Sequence, residues 1–182
     1  AALCALVAQA EAGGETAMLL AQDDRVRGFI AVADQARADS RTVVTALRDL
    51  GLRTIMLTGD NATVAQAVGA QVGVDEVRAG LLPDQKVNAV RDLLRDYGAV
   101  AMVGDGINDT PALAAATVGV AMGGAGSAQA LETADIVLMA DDLAQLPYAV
   151  RLARFARRLI AQNIAVSIGL KLAFMALALT GG

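Results

Sequence analysis

Apolar positions along most of this chain fall into two alternating periods. Leu3, Leu6, Val7 and Ala10 lie at helical spacing, and Gly13-Gly14 ends that run. Residues 17–21 and 26–33 are extended apolar runs joined by the polar turn Gln22-Asp23-Asp24-Arg25, which predicts two strands. A polar break spans residues 34–37. Beyond it, Val43, Leu47 and Leu50 share one face of a helix predicted over 40–50, with Ser40 as its cap and Gly51 as its stop. Residues 53–57 predict a short buried strand. Val64, Val68 and Val72 predict a helix over about 61–72, and residues 76–79 another short strand. Pro83 stands in the first turn of a helix predicted over 83–96, whose apolar face is Val87, Val90 and Leu94. Residues 99–103, 118–122 and 136–139 complete the strands. A Gly-rich turn and a helix around 125–133 separate the last two.

Short apolar strands alternating with amphipathic helices predict an α/β fold, a mainly parallel sheet with helices on both faces. Ligands of such sheets bind at the carboxyl ends of the strands. Residues 58–61 and 104–109 both follow strands, so they can share one rim. The pattern then changes. Residues 143–158 are amphipathic and carry Arg151, Arg154, Arg157 and Arg158. Residues 159–180 are largely apolar and reach about 33 Å as a helix, enough to cross a bilayer core. Arginines before the span place residues 1–158 on the cytoplasmic side of a cell membrane. A buried core helix is the competing reading; the length and the four boundary arginines argue against it.

Composition narrows this picture. The 182 residues are 55% hydrophobic and only 3% aromatic, with 18 glycines. Net charge is −4, so there is no global attraction to nucleic acid. One cysteine, Cys4, excludes an internal disulfide, and with no histidine a Cys/His zinc site cannot be built from these residues. No signal peptide is expected. The absent initiator Met and the Gly-Gly end lead us to expect a fragment of a longer protein.

Candidate chemistry concentrates in residues 100–113. An apolar strand stops at Gly104, and Asp105, Asn108 and Asp109 follow within five residues, before a helix with Pro111 near its start. A solvated turn explains the glycines but not the second aspartate behind an asparagine. Asp105 and Asp109 can hold a magnesium ion, which takes hard oxygen ligands. Asn108 can donate to a phosphate oxygen. Thr58 offers a hydroxyl, and with Gly59 exposed backbone donors. Lys86, early on its helix, can neutralise phosphate charge. Together these groups suit phosphoryl transfer.

Thr58-Gly59-Asp60-Asn61, Leu82-Pro83-Asp84-Gln85-Lys86 and Gly104-Asp105-Gly106-Ile107-Asn108-Asp109-Thr110-Pro111 resemble the later signature motifs of P-type ATPases. Those are cation pumps whose phosphorylation domain has the haloacid-dehalogenase-like, Rossmann-like fold. The resemblance implies that Asp105 coordinates magnesium, that Asp109 supports that site and that Asn108 contacts the phosphoryl group. Lys86 and Thr58 would bind an aspartyl-phosphate, with Gly59 and Asp60 shaping the loop. Asp34 and Arg37 look like the hinge motif where an arginine approaches ATP. Four parts are implied: residues 1–33, the tail of a nucleotide-binding domain; 34–142, the phosphorylation domain; 143–158, a cytoplasmic stalk helix; and 159–180, a transmembrane helix. The family's acceptor motif, Asp-Lys-Thr-Gly-Thr, does not occur here. In the family its strand lies between those leading to Thr58 and to Asp105. The chain alone is therefore expected to be inactive as an ATPase and marginally stable, with the missing N-terminal part of the same pump as its partner.

Within the apolar span, Asn163, Ser167 and Lys171 share one helical face. A lysine near the middle of a span costs about 2.5–3.5 kcal/mol to insert, so a partner or function is expected, with snorkelling as the alternative. Gln162-Asn163 followed by Leu170-Lys171 resembles the zinc/cadmium/lead group of the heavy-metal-transporting branch, where copper pumps place a Tyr-Asn pair at the position of Leu170-Lys171. The resemblance implies an ATP-driven exporter of a divalent heavy-metal cation in the lipid bilayer, with ATP and Mg2+ as cofactors and Lys171 as a counter-charge at the transport site. A copper-type pump and a membrane-tethered haloacid-dehalogenase-like phosphatase are the alternatives. A non-catalytic interaction fragment is a third.

Overall fold

Strands and helices alternate through residues 40–138 as the apolar pattern predicts. The computed structural model describes residues 2–13, 15–23, 25–33, 37–105, 109–123, 132–139 and 142–179. These fall into two compact units, Ala1–Ala144 and Gln145–Gly182.

The first unit begins with α1 (Ala2–Ala12) and an antiparallel hairpin of β1 (Glu15–Gln22) and β2 (Arg25–Ala33), with a register irregularity between Leu20 and Ala21. Met18, Leu19, Leu20, Val26, Ile30 and Val32 are all exposed. Successive strand residues point to opposite faces, so this hairpin shows apolar side chains on both.

Next come α2 (Ser40–Asp49), β3 (Ile55–Leu57), α3 (Ala62–Val72), β4 (Glu76–Arg78) and α4 (Pro83–Tyr97). They are followed by β5 (Ala101–Gly104), α5 (Thr110–Ala115), β6 (Val118–Met122) and β7 (Ile136–Leu138). Ser40 is not the cap of α2. Asp39 holds that position without a side-chain cap bond, and the Ser40 amide donates to the Arg37 carbonyl at 3.0 Å. Gly51, at φ 73°, does end the helix in the left-handed region that favours glycine. β3 starts two residues later than predicted. Thr54 gives both its amide and its hydroxyl to the Asp75 carboxylate, each at 2.8 Å. The helix expected around 125–133 lies mostly outside the described residues.

The expected single parallel sheet is split. β3 pairs with β4, and β5, β6 and β7 form a second sheet; all these pairs are parallel, but β3 and β5 do not join. No described strand lies between them. The two pieces share a core instead. Val90, Met102, Ala112, Leu113 and Ala121 are buried together, and Leu57 at the end of β3 packs against them with Val87, Leu94 and Val100.

The second unit is α6 (Gln145–Leu179), one unbroken helix of 35 residues. It joins the predicted stalk and span without interruption. Its mean hydropathy reaches 1.6 over an 18-residue window, and by length and composition it can cross a membrane.

Candidate active site

The turn after β3 is built from its own side chains. The Thr58 hydroxyl donates to Asp60 Oδ2 at 2.7 Å and accepts from the Asp60 amide at 3.1 Å. Asn61 then accepts from the Val64 amide at 2.9 Å through Oδ1, which caps α3. The chain leaving β4 returns to this turn. The Leu81 amide donates to the Thr58 carbonyl at 3.0 Å, and the Gly80 amide to the Asp60 carbonyl at 2.7 Å. Gly59 lies close beneath: a Cβ there would meet the Leu81 carbonyl oxygen at 3.4 Å. The Thr58–Asn61 turn is thus laced to the segment that opens α4.

That opening fixes Lys86. The Leu82 amide donates to Gln85 Oε1 at 2.9 Å, half of a capping box, and Pro83 begins the helix. One turn in, Lys86 Nζ donates to Asp109 Oδ1 at 2.8 Å, with both side chains only 16% exposed. Asp109 is the N-cap residue of α5, yet its side chain makes no cap bond to that helix. The carboxylate turns to the lysine instead. Its backbone is held by the core, because the Leu113 amide donates to the Asp109 carbonyl at 2.8 Å and Leu113 is fully buried. Gly104 makes room for the carboxylate. A Cβ at Gly104 would stand 3.0 Å from Asp109 Oδ2.

The structure therefore brings Thr58, Gly59 and Asp60 to the approach of Lys86, and Lys86 to Asp109. Asp105 follows β5 directly and is exposed. Asn108 and Asp34 lie outside the described residues. Arg37 is exposed just before α2, and Lys171 is exposed in the other unit. Two contributors escaped the sequence reading. Gln85 orients the first turn of α4, and its position at N3 after a helix-opening proline was the available signal. Gly104, which in the sequence marks only the end of a strand, is the close-approach point for Asp109.

Among the described residues, no three His, Cys, Asp or Glu side chains gather into a metal cluster. Magnesium takes one or two protein carboxylates and completes its shell with water and phosphate oxygens. Exposed Asp105 suits that requirement. Asp109 already gives one oxygen to Lys86, so it fits better as the partner of that lysine.

At the opposite end of β3, charges serve the fold. Arg48 donates to Asp75 through Nε and Nη2, at 3.2 and 2.9 Å. Hydrogen bonds from the Thr54 amide and then its hydroxyl, with Arg48 beside them, hold the Asp75 carboxyl below the usual carboxylate range against some desolvation. Arg78, and after it Arg53, lower Glu76 in the same way. This network ties α2 to the entries of β3 and β4.

Residues 3–117 match the pattern of the haloacid dehalogenase-like hydrolases. A probable cadmium-transporting ATPase of Staphylococcus aureus is 50% identical over 169 residues, which cover 92% of this chain and 21% of that protein. A zinc-transporting ATPase of Bacillus subtilis (strain 168) is 50% identical over 155 residues, 85% of this chain and 24% of that one. Among solved structures, the crystal structure of a zinc-transporting PIB-type ATPase in the E2.Pi state is similar with a TM-score of 0.85 and 43% identity, covering 99% of this chain and 29% of that one. The chain thus spans under a third of the length of each of these relatives.

Proposed function

The chain belongs to the haloacid dehalogenase-like hydrolase family, and from that premise we propose that it is the phosphate-holding part of an ATP-driven exporter of divalent zinc-type metal ions. The observation that carries this reading is the 2.8 Å bridge from Lys86 to Asp109, which ties the opening of α4 to the exit of β5. The Thr58 turn is laced to that same opening. Three separate stretches thereby offer a hydroxyl, an ammonium and carboxylates around one edge.

In this proposal Lys86 and the Thr58 hydroxyl bind oxygens of an aspartyl-phosphate, and Gly59 lets the backbone approach them. Asp105 would hold magnesium, which when bound offsets phosphate charge. Asp109 keeps Lys86 aimed, through its 2.8 Å contact. Asn108 contacts the phosphoryl group, and Asp34 and Arg37 form the hinge toward ATP. Residues 1–33 belong to a nucleotide-binding domain; the hairpin, apolar on both faces, suits the interior of a larger sheet. Residues 34–142 form the phosphorylation domain, 143–158 a stalk and 159–180 a span. Lys171, with Asn163 and Ser167 on its face, supplies a counter-charge for the transported cation.

The chain contains no Asp-Lys-Thr-Gly-Thr sequence. An acceptor strand entering between β3 and β5 would pair with both, and we propose that the chain is inactive without it. Purified chain that hydrolysed ATP at a rate abolished by Asp105→Ala would overturn this. In the pump restored with its acceptor segment, Lys86→Ala should lower ATP hydrolysis about 100-fold or more, as loss of a preorganised donor does. In the same protein Lys171→Ala should abolish stimulation by zinc. Unchanged zinc stimulation would count against the metal assignment.

A further inference from the structure

We propose that Arg151, Arg154 and Arg158 form a docking face for the phosphate groups of anionic lipids, an inference that rests on reading α6 as membrane-spanning. Four arginines fall within eight residues of α6, and all four are exposed. The helix contains no aspartate or glutamate from Gln145 to Leu179. No acid of the helix itself therefore offsets the positive charge at this point.

Position and geometry select a lipid as the source of the anion. Arg158 immediately precedes Leu159, where the apolar run begins. Arg151 lies about 10 Å back along the axis at 1.5 Å per residue. The headgroup layer of each leaflet is about 5–8 Å deep, so long arginine side chains in this tier reach it. At about 100° per residue, Arg151, Arg154 and Arg158 fall within about 60° of arc, with Arg157 about 60° to one side. The polar face of Asn163, Ser167 and Lys171 lies nearly opposite. A helix that turns that face toward other protein turns its arginine face outward.

One further feature fits a headgroup. All four basic residues of this segment are arginine. The planar guanidinium fork binds phosphate bidentately, which an ammonium cannot.

The test uses the 182-residue chain reconstituted in phosphatidylcholine bilayers, with trace spin-labelled phosphatidylglycerol or phosphatidylcholine. Electron paramagnetic resonance then gives the relative association of each lipid with the protein. Each arginine near an anionic surface is worth about fivefold, so a preference for phosphatidylglycerol of about fivefold or more is expected. The triple variant Arg151→Gln/Arg154→Gln/Arg158→Gln should bring the preference close to one, whereas Arg157→Gln should retain most of it. An inserted chain with no preference, or a preference that survives the triple variant, overturns the proposal. Insertion is checked separately by resistance to alkaline carbonate. A chain that carbonate strips from the bilayer overturns the membrane reading itself, and the lipid face with it.

Discussion

Consider removing the charge from Lys86 while keeping its stem, as in Lys86→Met. The perturbed contact is the 2.8 Å bridge to Asp109, with 16% of each side chain exposed. Exposed ion pairs contribute about 0.2–1 kcal/mol, whereas breaking a buried pair costs about 3–5 kcal/mol because the remaining charge loses its partner. A pair about five-sixths covered lies between these limits, so about 2 kcal/mol is expected for Lys86→Met. Asp109→Asn leaves the lysine stranded and should cost a similar amount. The double variant removes both charges and should cost less than the sum, with a coupling of about 1–2 kcal/mol. The assay is urea unfolding of the detergent-solubilised chain, followed by far-UV circular dichroism. With a slope of about 2 kcal/mol per molar, each single variant should lower the midpoint by about 1 M. Raising salt should change the coupling little, because covered pairs are weakly screened. Strict additivity of the two substitutions would refute the claim that Asp109 acts chiefly on Lys86. Asp109 would then be free to serve as a metal ligand.

Three other perturbations probe the frame around the site. Asn61→Ala removes the 2.9 Å cap on the Val64 amide and should destabilise by about 1 kcal/mol in the same unfolding assay. Gly69→Ala improves helix propensity by about 1 kcal/mol. Its new Cβ, however, would collide with the stiff, branched Val77 side chain. Overpacking costs about 1–3 kcal/mol, so a net loss is expected, partly restored by Val77→Ala, and a more stable Gly69→Ala would refute the packing argument. Asp75 is held below the usual carboxylate range, chiefly by the Thr54 amide. Its contribution is complete above the unfolded value of about 4 and is lost as pH falls through the lower folded value. Asp75→Asn should therefore flatten the decline of the urea midpoint below pH 4; an unchanged acid profile would show that the network does not act through this charge.

Most of the architecture was legible because helices and strands here obey their own periods. The Val87, Val90 and Leu94 stripe marked α4, and the run at 118–122 matched β6 to the residue. The start of β3 was not legible. Thr54 is drawn out of the strand by a carboxylate 21 residues later, a contact no local pattern encodes. The cap of α2 was not legible either: serine is a good cap in isolation, but the helix begins one residue earlier, with Asp39 at the N-cap position making no side-chain cap bond and the Ser40 amide donating to the Arg37 carbonyl. At the site, residue types led to the expectation of phosphate chemistry, but the Lys86–Asp109 pairing did not follow from type. Asp109 could equally have capped α5. Its turn toward Lys86 depends on the bare backbone at Gly104 and on Leu113 locked in the core.

The split sheet gives that pairing a second consequence. β3 and β5 do not pair with each other; under the proposed function, parallel strands joined by helical crossovers send their carboxyl ends to one edge, which would bring Thr58 and Asp105 to the same rim. Among the described residues, no ladder of backbone hydrogen bonds crosses the seam between them. Leu57 against the Met102 cluster and the Lys86–Asp109 bridge do so instead. Any group that engages Thr58 on one side and Lys86 or Asp105 on the other therefore also joins the two halves of the sheet. Its binding free energy stabilises the fold by mass action. Substitutions at the seam should consequently change stability and phosphate affinity together, whereas those in the Arg48–Asp75 network, at the far end of β3, should change stability alone.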